Sequence, residues 1–274
     1  MSRSDGYTLS PMCPANAFTH AEPPSAASYD EWSVAPALRE SVACVWAAQI
    51  GAAGERHVQR VIPDGCIDLV FCEGELIVAG PDTESVELEV APNRSFVGLR
   101  FRAGGAPAVL GMPASELLDQ RIDASEMLGA RAHALSERLA SATSLRVAAA
   151  VLEETVTRWL HDAEPSDALV GRAILELQTP RTEWTVATLA AQLGVSERQL
   201  RRRFLSAVGY GPKLFERVAR LRRFIHAASS PHSGGLAALA AEAGYADQPH
   251  LTRECRELTA LTPSQLLGYP VTAA

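Results

Sequence analysis

LAAQLGVSERQLRRRF, residues 189–204, holds two helix-like runs separated by a glycine. Leu189, Ala190 and Leu193 recur at helical spacing, Gly194 allows a tight turn, and Ser196 opens a second run. Ser196 is a good N-cap because its hydroxyl accepts from orphan N–H groups, and Gln199 stands where a capping-box partner reaches back. At 3.6 residues per turn, Leu200 and Phe204 share an inward face. Arg198 and Arg202 then point the opposite way, with Arg201 and Arg203 on the flanks. Four arginines thus fall within six positions of a 274-residue chain whose formal net charge is −7.

The pattern returns further along. LAAQLGV, residues 189–195, matches LAAEAGY, residues 239–245, at an offset of 50, and Phe204, Gly209 and Pro212 match Cys255, Ala260 and Pro263 at an offset of 51. Each copy is a helix, a tight turn and a second helix, the unit whose second helix enters a DNA major groove. Arginine is shaped for bidentate contact with guanine and also neutralises phosphate. Arg203, on the remaining flank, is expected to meet only phosphate or water. In the second copy Asp247 caps a helix with Leu251 and Cys255 inward, leaving Pro249, Thr252 and Arg253 outward and Gln248 and His250 in its first turn. Of these, Gln248, His250, Thr252 and Arg253 can hydrogen-bond base edges or phosphates, and the Pro or Thr carbons can touch a thymine methyl. No Cys or second His stands at ligand spacing from His250, so it is not expected to bind metal. The competing reading of the arginine run is a solvated charged face. Between the copies, residues 211–230 form one long helix after Pro212, with Leu214, Phe215, Val218, Leu221 and Ile225 as its apolar stripe.

Charge is divided along the chain. Residues 1–166 carry 12 basic and 23 acidic side chains, net −11, whereas residues 167–274 carry 13 and 9, net +4. The acidic total conceals a basic C-terminal half. The polar stretch between Leu160 and Ala168 separates the two. No run approaches the roughly 20 apolar residues that span a bilayer, and the first residues lack the apolar core of a signal peptide, so no membrane association and a cytoplasmic location are expected. Residues 1–29, rich in Ser, Pro and Ala, are expected to be a disordered tail. Five scattered cysteines, Cys13, Cys44, Cys66, Cys72 and Cys255, argue against a disulfide framework or zinc ribbon.

The first half alternates short runs rich in Val, Ile, Leu and Phe with Gly, Pro, Asn and Asp breaks: residues 41–50, 56–65, 66–81, 84–92 and 94–104. An antiparallel β sandwich or small barrel is expected there. From Pro113 the spacing becomes helical, over 112–129 and 130–160, with Leu135, Leu139, Val147, Val151, Val156 and Leu160 as apolar positions. The fold class is α+β: an N-terminal sandwich or barrel with following helices over 30–163, and an all-α domain with two helix-turn-helix units over 168–268.

Residues from about 168 to 268 resemble the DNA-binding domain of the AraC/XylS family of bacterial transcription regulators, through LAAQLGVSERQLRRRF, GYGPKLFERVARLRR and LAALAAEAGYADQPHLTRECRELTALTPSQL. The resemblance implies recognition helices at Ser196–Leu205 and Asp247–Glu257, entering successive major grooves on one DNA face. It assigns DNA contacts to Ser196, Arg198, Arg201 and Arg202 in the first unit, and to Gln248, Pro249, His250, Thr252 and Arg253 in the second. Two positions depart from the family pattern: Cys255 stands where Phe is usual, and Ala260 where Gly is usual. A more loosely packed second unit is the expectation. VIPDGCIDLVF, VAGP and VGLRFRAGGAPAVLG resemble an uncharacterised, cupin-like domain found ahead of such DNA-binding domains. That resemblance supplies position and no ligand.

Two function classes follow. The first is a DNA-binding transcription regulator, not an enzyme, whose N-terminal domain binds an effector or a second subunit. Its partners are double-stranded DNA, with RNA polymerase, a small-molecule effector and a homodimer mate as further candidates; no cofactor, metal or catalytic residue is expected. The rival is a metal-dependent cupin-like enzyme, or a redox or metal sensor, fused to a DNA-binding domain, with His57, Asp64, Cys66, Asp68 and Cys72 as candidate ligands. Cupin metal sites need several closely spaced histidines, and the expected sheet offers only His57. Asp64 and Gly65 fit a turn, Asp68 a structural carboxylate, and Cys66 and Cys72 small buried hydrophobes.

Overall fold

The computed structural model describes residues 28–51, 57–180, 184–229 and 235–268. The N-terminal half contains β1 (Ser28–Trp32), β2 (Val42–Gln49), β3 (His57–Val61), β4 (Ile67–Cys72), β5 (Glu75–Ala79), β6 (Val86–Val90) and β7 (Ser95–Phe101). Then follow α1 (Ala106–Leu110), a 3-10 turn at Ala114–Glu116, β8 (Arg121–Asp123), α2 (Ala124–Leu128), α3 (Ala130–Ala140) and α4 (Leu145–His161). Six strands form an antiparallel sheet in the order β1-β2-β7-β4-β5-β8, and β3 pairs with β6 in a separate ribbon.

Alternation decides which face of the sheet is dry. Val45, Leu99, Leu69 and Val78 stand in one cross-strand row, and Ala47, Val97, Phe71 and Leu76 in the next. All are buried, against Leu135, Leu139, Leu152 and Val156 from α3 and α4. Each fully buried Leu or Phe contributes about 1.5–3 kcal/mol. The opposite face carries Cys44, Arg100 and Asp68 in one row and Trp46, Gly98 and Val70 in another. There Gly98 lets the Trp46 indole lie against the sheet, since a Cβ would come 2.4 Å from its ring.

Three departures from the sequence-based expectation have local causes. Ser28 and Tyr29 belong to strand β1 rather than to a tail, because the polar segment SYDEW pairs along the edge at β2; the rest of the expected tail, Cys13 included, lies outside the described residues. Residues 121–123 join the sheet beside β5 instead of continuing a helix, since Asp119 adopts φ +56° and turns the chain back. In α4 the buried stripe is Ala148, Leu152 and Val156, and Val147 faces out at 44% exposure. Of the positions expected, Val156 is buried and Val151 and Leu160 are half-buried against the core, so only Val147 fails and Ala148 and Leu152 complete the inward face.

The C-terminal half is helical: α5 (Ala168–Gln178), α6 (Val186–Gln192), α7 (Glu197–Val208), α8 (Pro212–Ala228), α9 (Gly235–Ala243), α10 (Gln248–Thr259) and α11 (Pro263–Gly268). These surround a second core built on Leu200, Phe204, Phe215, Leu221, Phe224, Leu251 and Leu266. In α8, Phe224 is fully buried while Leu214 and Ile225 are only half-buried.

The halves are joined by close backbone approaches. Gly65, at φ +80°, has Phe215 and the Tyr210 hydroxyl 3.1 Å from where a Cβ would sit. Gly209 presses against Pro81 and the Ala114 carbonyl, and a Cβ there would come 2.7 Å from Pro81 Cγ. The β3–β6 ribbon reaches the end of α10: Ser85 N donates to Leu258 O (2.8 Å), while Ser85 Oγ and Arg60 Nη1 donate to Thr259 O (2.9 and 3.0 Å). Ile62, Ala103 and Leu118 pack against the second core.

Candidate nucleic-acid interface

The two copies of the repeat have matching backbones. Gly194 and Gly244 both have positive φ, at 70° and 89°. Val195 N donates to Ala190 O at 3.0 Å, and Tyr245 N to Ala240 O at 2.9 Å. Both second helices end in a left-handed residue, Gly209 (φ +97°) and Ala260 (φ +58°), whose N–H returns to Leu205 O and Arg256 O respectively. Pro212 and Pro263 each open the next helix. Fold and repeat therefore agree residue by residue.

Helix α7 starts as its chemistry requires. Gln199 N donates to Ser196 Oγ (3.3 Å) and Ser196 N donates to Gln199 Oε1 (3.0 Å), closing the capping box. Leu200 and Phe204 are fully buried, and Phe204 meets the Phe215 ring edge-on at 5.5 Å. Arg198, Arg201 and Arg202 are exposed on the other side. Arg201 pairs with Glu197 at 2.7 Å, an exposed i,i+4 pair worth a few tenths of a kcal/mol. Arg198 and Arg202 have no ion-pair partner among the described residues.

Arg203 corrects the expectation that it meets only phosphate or water. Its Nε and Nη2 donate to Asp167 Oδ2 and Oδ1, at 2.6 and 2.7 Å. Asp167 is also the N-cap of α5, accepting from Leu169 and Val170. The Arg203 guanidinium holds the Asp167 carboxyl below its usual range, and the backbone donors help. This arginine fastens α7 to α5.

In the second unit, His250 N donates to Asp247 Oδ1 at 2.7 Å, so Asp247 caps α10. Gln248, Pro249 and Arg253 are exposed; Thr252 is half-buried and donates to Gln248 O (2.9 Å). His250 lies half-buried in the first turn of α10, where it was expected, and it also has partners within the protein. Its imidazole meets Tyr245 edge-on at 5.3 Å, and its Nε2 lies 3.4 Å from Arg220 Nη1 and 3.7 Å from Glu254 Oε2. It belongs to a network that sequence reasoning missed. Glu254 and Glu216 are buried; Arg217 donates to Glu254 (3.1 Å) and to Glu257, and Arg220 donates to Glu216 while lying 5.2 Å over the Tyr245 ring. The network seats α10 on α8. Removing one partner of such a buried pair costs about 3–5 kcal/mol.

The model for "Helix-turn-helix domain" matches residues 189–268. Residues 189–268 are thus a helix-turn-helix domain of the AraC type. Ahead of it, residues 31–123 match "Domain of unknown function (DUF6597)". Among solved structures, the chain is similar to ToxT from Vibrio cholerae O395, at 11% identity over 78% of this chain and 96% of that one, with a TM-score of 0.42. It is likewise similar to unsaturated-fatty-acid-bound wild-type ToxT from V. cholerae strain SCE256, at 9% identity over 90% and 97%, TM-score 0.44. No curated protein matches the chain. No helix among the described residues is long and apolar enough to cross a membrane.

The AraC-type domain adjoins a different set of polar groups on the first half. Arg100 binds Asp68 through Nε (3.0 Å) and Nη2 (2.9 Å) and lies 3.8 Å from Asp64 Oδ2. Asp64 Oδ1 accepts from Cys66 N at 2.8 Å, which with Gly65 makes the expected turn. Burial, with Asp64 adding to it, pushes the Cys66 thiol well up, and burial raises Cys44 to about 12. Both thiols are held protonated and unreactive at neutral pH. Cys66 precedes β4 and Cys72 ends it, so the strand holds them roughly 20 Å apart, beyond the reach of a disulfide. Among the described residues no three of His, Cys, Asp and Glu converge to hold a metal. The backbone of His57 lies in β3, and its side chain is outside what is described.

Proposed function

We propose that the chain is a sequence-specific DNA-binding transcription regulator in which α7 and α10 enter successive major grooves. Its N-terminal half binds a small effector or a second copy of the chain. One observation carries the reading: two backbone-matched helix-turn-helix units hold outward side chains suited to base and phosphate contact, Arg198, Arg201 and Arg202 on one helix and Gln248, Pro249, Thr252 and Arg253 on the other. Ser196 serves at the start of α7 both as cap and as a phosphate contact. His250 acts chiefly by positioning α10. The arrangement of Asp68 and Asp64 around Arg100 favours a structural role over a metal or redox centre.

The test is enrichment of duplexes from a randomised pool by the full chain, followed by footprinting. Two protected patches about one helical turn apart on one face are expected. Enrichment of no sequence over the starting pool at moderate salt would sink the reading.

A further inference from the structure

Arg198, Arg201, Arg202 and Leu205 follow one another at helical spacing and share one face of α7. Across from them stand Pro113 and Ser115 of the N-terminal half, and with Ser206 these residues line an open groove of about 690 Å³. None of the lining residues is acidic, although the N-terminal half as a whole is. Its neighbour Glu116 is exposed and does not line the groove.

Both walls are held in place. Ala114, between Pro113 and Ser115, is buried; its carbonyl accepts from Leu117 N at 3.1 Å and lies 3.1 Å from where a Cβ on Gly209 would sit, at the C-terminal end of α7. A helix with side chains is about 10–12 Å across and fills a major groove about 12 Å wide. Whatever stands beside its reading face therefore stands against the phosphates that border the groove.

We propose that one phosphate strand of the bound duplex passes between α7 and the 113–116 segment, so that the N-terminal half itself contacts DNA. Arg201, on the flank of the reading face, neutralises a phosphate from one wall while Arg198 and Arg202 reach into the groove, and the Ser115 hydroxyl donates to a phosphate oxygen from the other. The proposal rests on α7 being a recognition helix. It makes the N-terminal half part of the DNA-contacting surface rather than a remote sensor.

The experiment uses the full chain and a labelled duplex enriched as above, titrated at several salt concentrations. Ser115→Arg is expected to steepen the dependence of log affinity on log salt by about one unit, because one more phosphate is neutralised. Ser115→Glu is expected to weaken binding and make the dependence shallower. Ala140→Arg adds the same charge at an exposed position on α3, outside the groove, and is expected to leave the slope unchanged. If Ser115→Arg and Ala140→Arg behave alike while Arg202→Ala still weakens binding, the groove proposal is overturned and the recognition helix stands. If Arg202→Ala leaves binding untouched as well, the recognition-helix reading falls with it.

Discussion

Arg202 and Arg203 are neighbours with the same side chain, and their surroundings give them different work. Arg202 is exposed and unpaired on the face away from Leu200 and Phe204, so its guanidinium is available to a base edge or phosphate. Arg203 is spent on Asp167. Arg202→Ala should cost about 1–3 kcal/mol on the best duplex and relax preference at one base position, as for a lost bidentate contact. Uniform weakening across single-base variants would reduce Arg202 to an electrostatic anchor. Arg203→Ala should leave the salt slope unchanged and lower stability by about 1 kcal/mol, the pair being partly exposed and screened. Its pH signature has a definite sign. Asp167 titrates below its unfolded value, so the pair stabilises fully above a pH of about 4 and the contribution is lost as pH falls through the depressed folded pKa. Acid unfolding curves of Arg203→Ala and the parent should therefore converge at low pH, and parallel curves would refute the assignment.

At the scale of elements, legibility followed the strength of local signals. Helices α7 and α10 were readable because Ser196, Gln199 and Asp247 cap them and because their apolar residues keep a 3.6 period. Strand β1, helix α1 and strand β8 were not: β1 and β8 hold five and three residues and α1 five, too few to display a period, and neighbouring elements order them. The candidate site divides in the same way. The outward arginines follow from periodicity within one helix, whereas the Arg203–Asp167 pair and the turning of His250 toward Arg220 and Glu254 depend on partners from other helices. One sequence-level departure now has a physical reading. Ala260 occupies the left-handed cap that Gly209 fills in the first unit, and its Cβ is disfavoured there. Ala260→Gly should stabilise the chain by about 1 kcal/mol, seen as a higher urea midpoint. A lower midpoint would mean that the flexibility glycine adds to the unfolded chain outweighs the relief.

Across the whole molecule, the junction between the halves was the least legible feature. Gly65 and Gly209 look like ordinary turn residues in the sequence, yet each leaves room for a side chain or carbonyl from the other half. Arg60 and Ser85 look like polar residues on a surface ribbon, yet they satisfy the last carbonyls of α10, 174 residues beyond Ser85. Those carbonyls have no partner within their own helix, and a cation beside them also complements the helix dipole. The N-terminal half thereby completes the second helix-turn-helix unit, and a change in the ribbon reaches α10 through two side chains. Replacing both, Arg60→Ala with Ser85→Ala, should fray the last turn and speed amide exchange at Leu258, Thr259 and Ala260, while the turn at Gly194 and the start of α7 keep the parent's protection. A fragment beginning near residue 165 should show at least as large a local change, because it loses the Ser85 N–H donor to Leu258 O along with both side chains. Unchanged exchange at the three amides in the double variant would show that Ser85 N and the buried Thr259 side chain hold the end of α10 unaided, and that the ribbon has no grip on the second recognition helix.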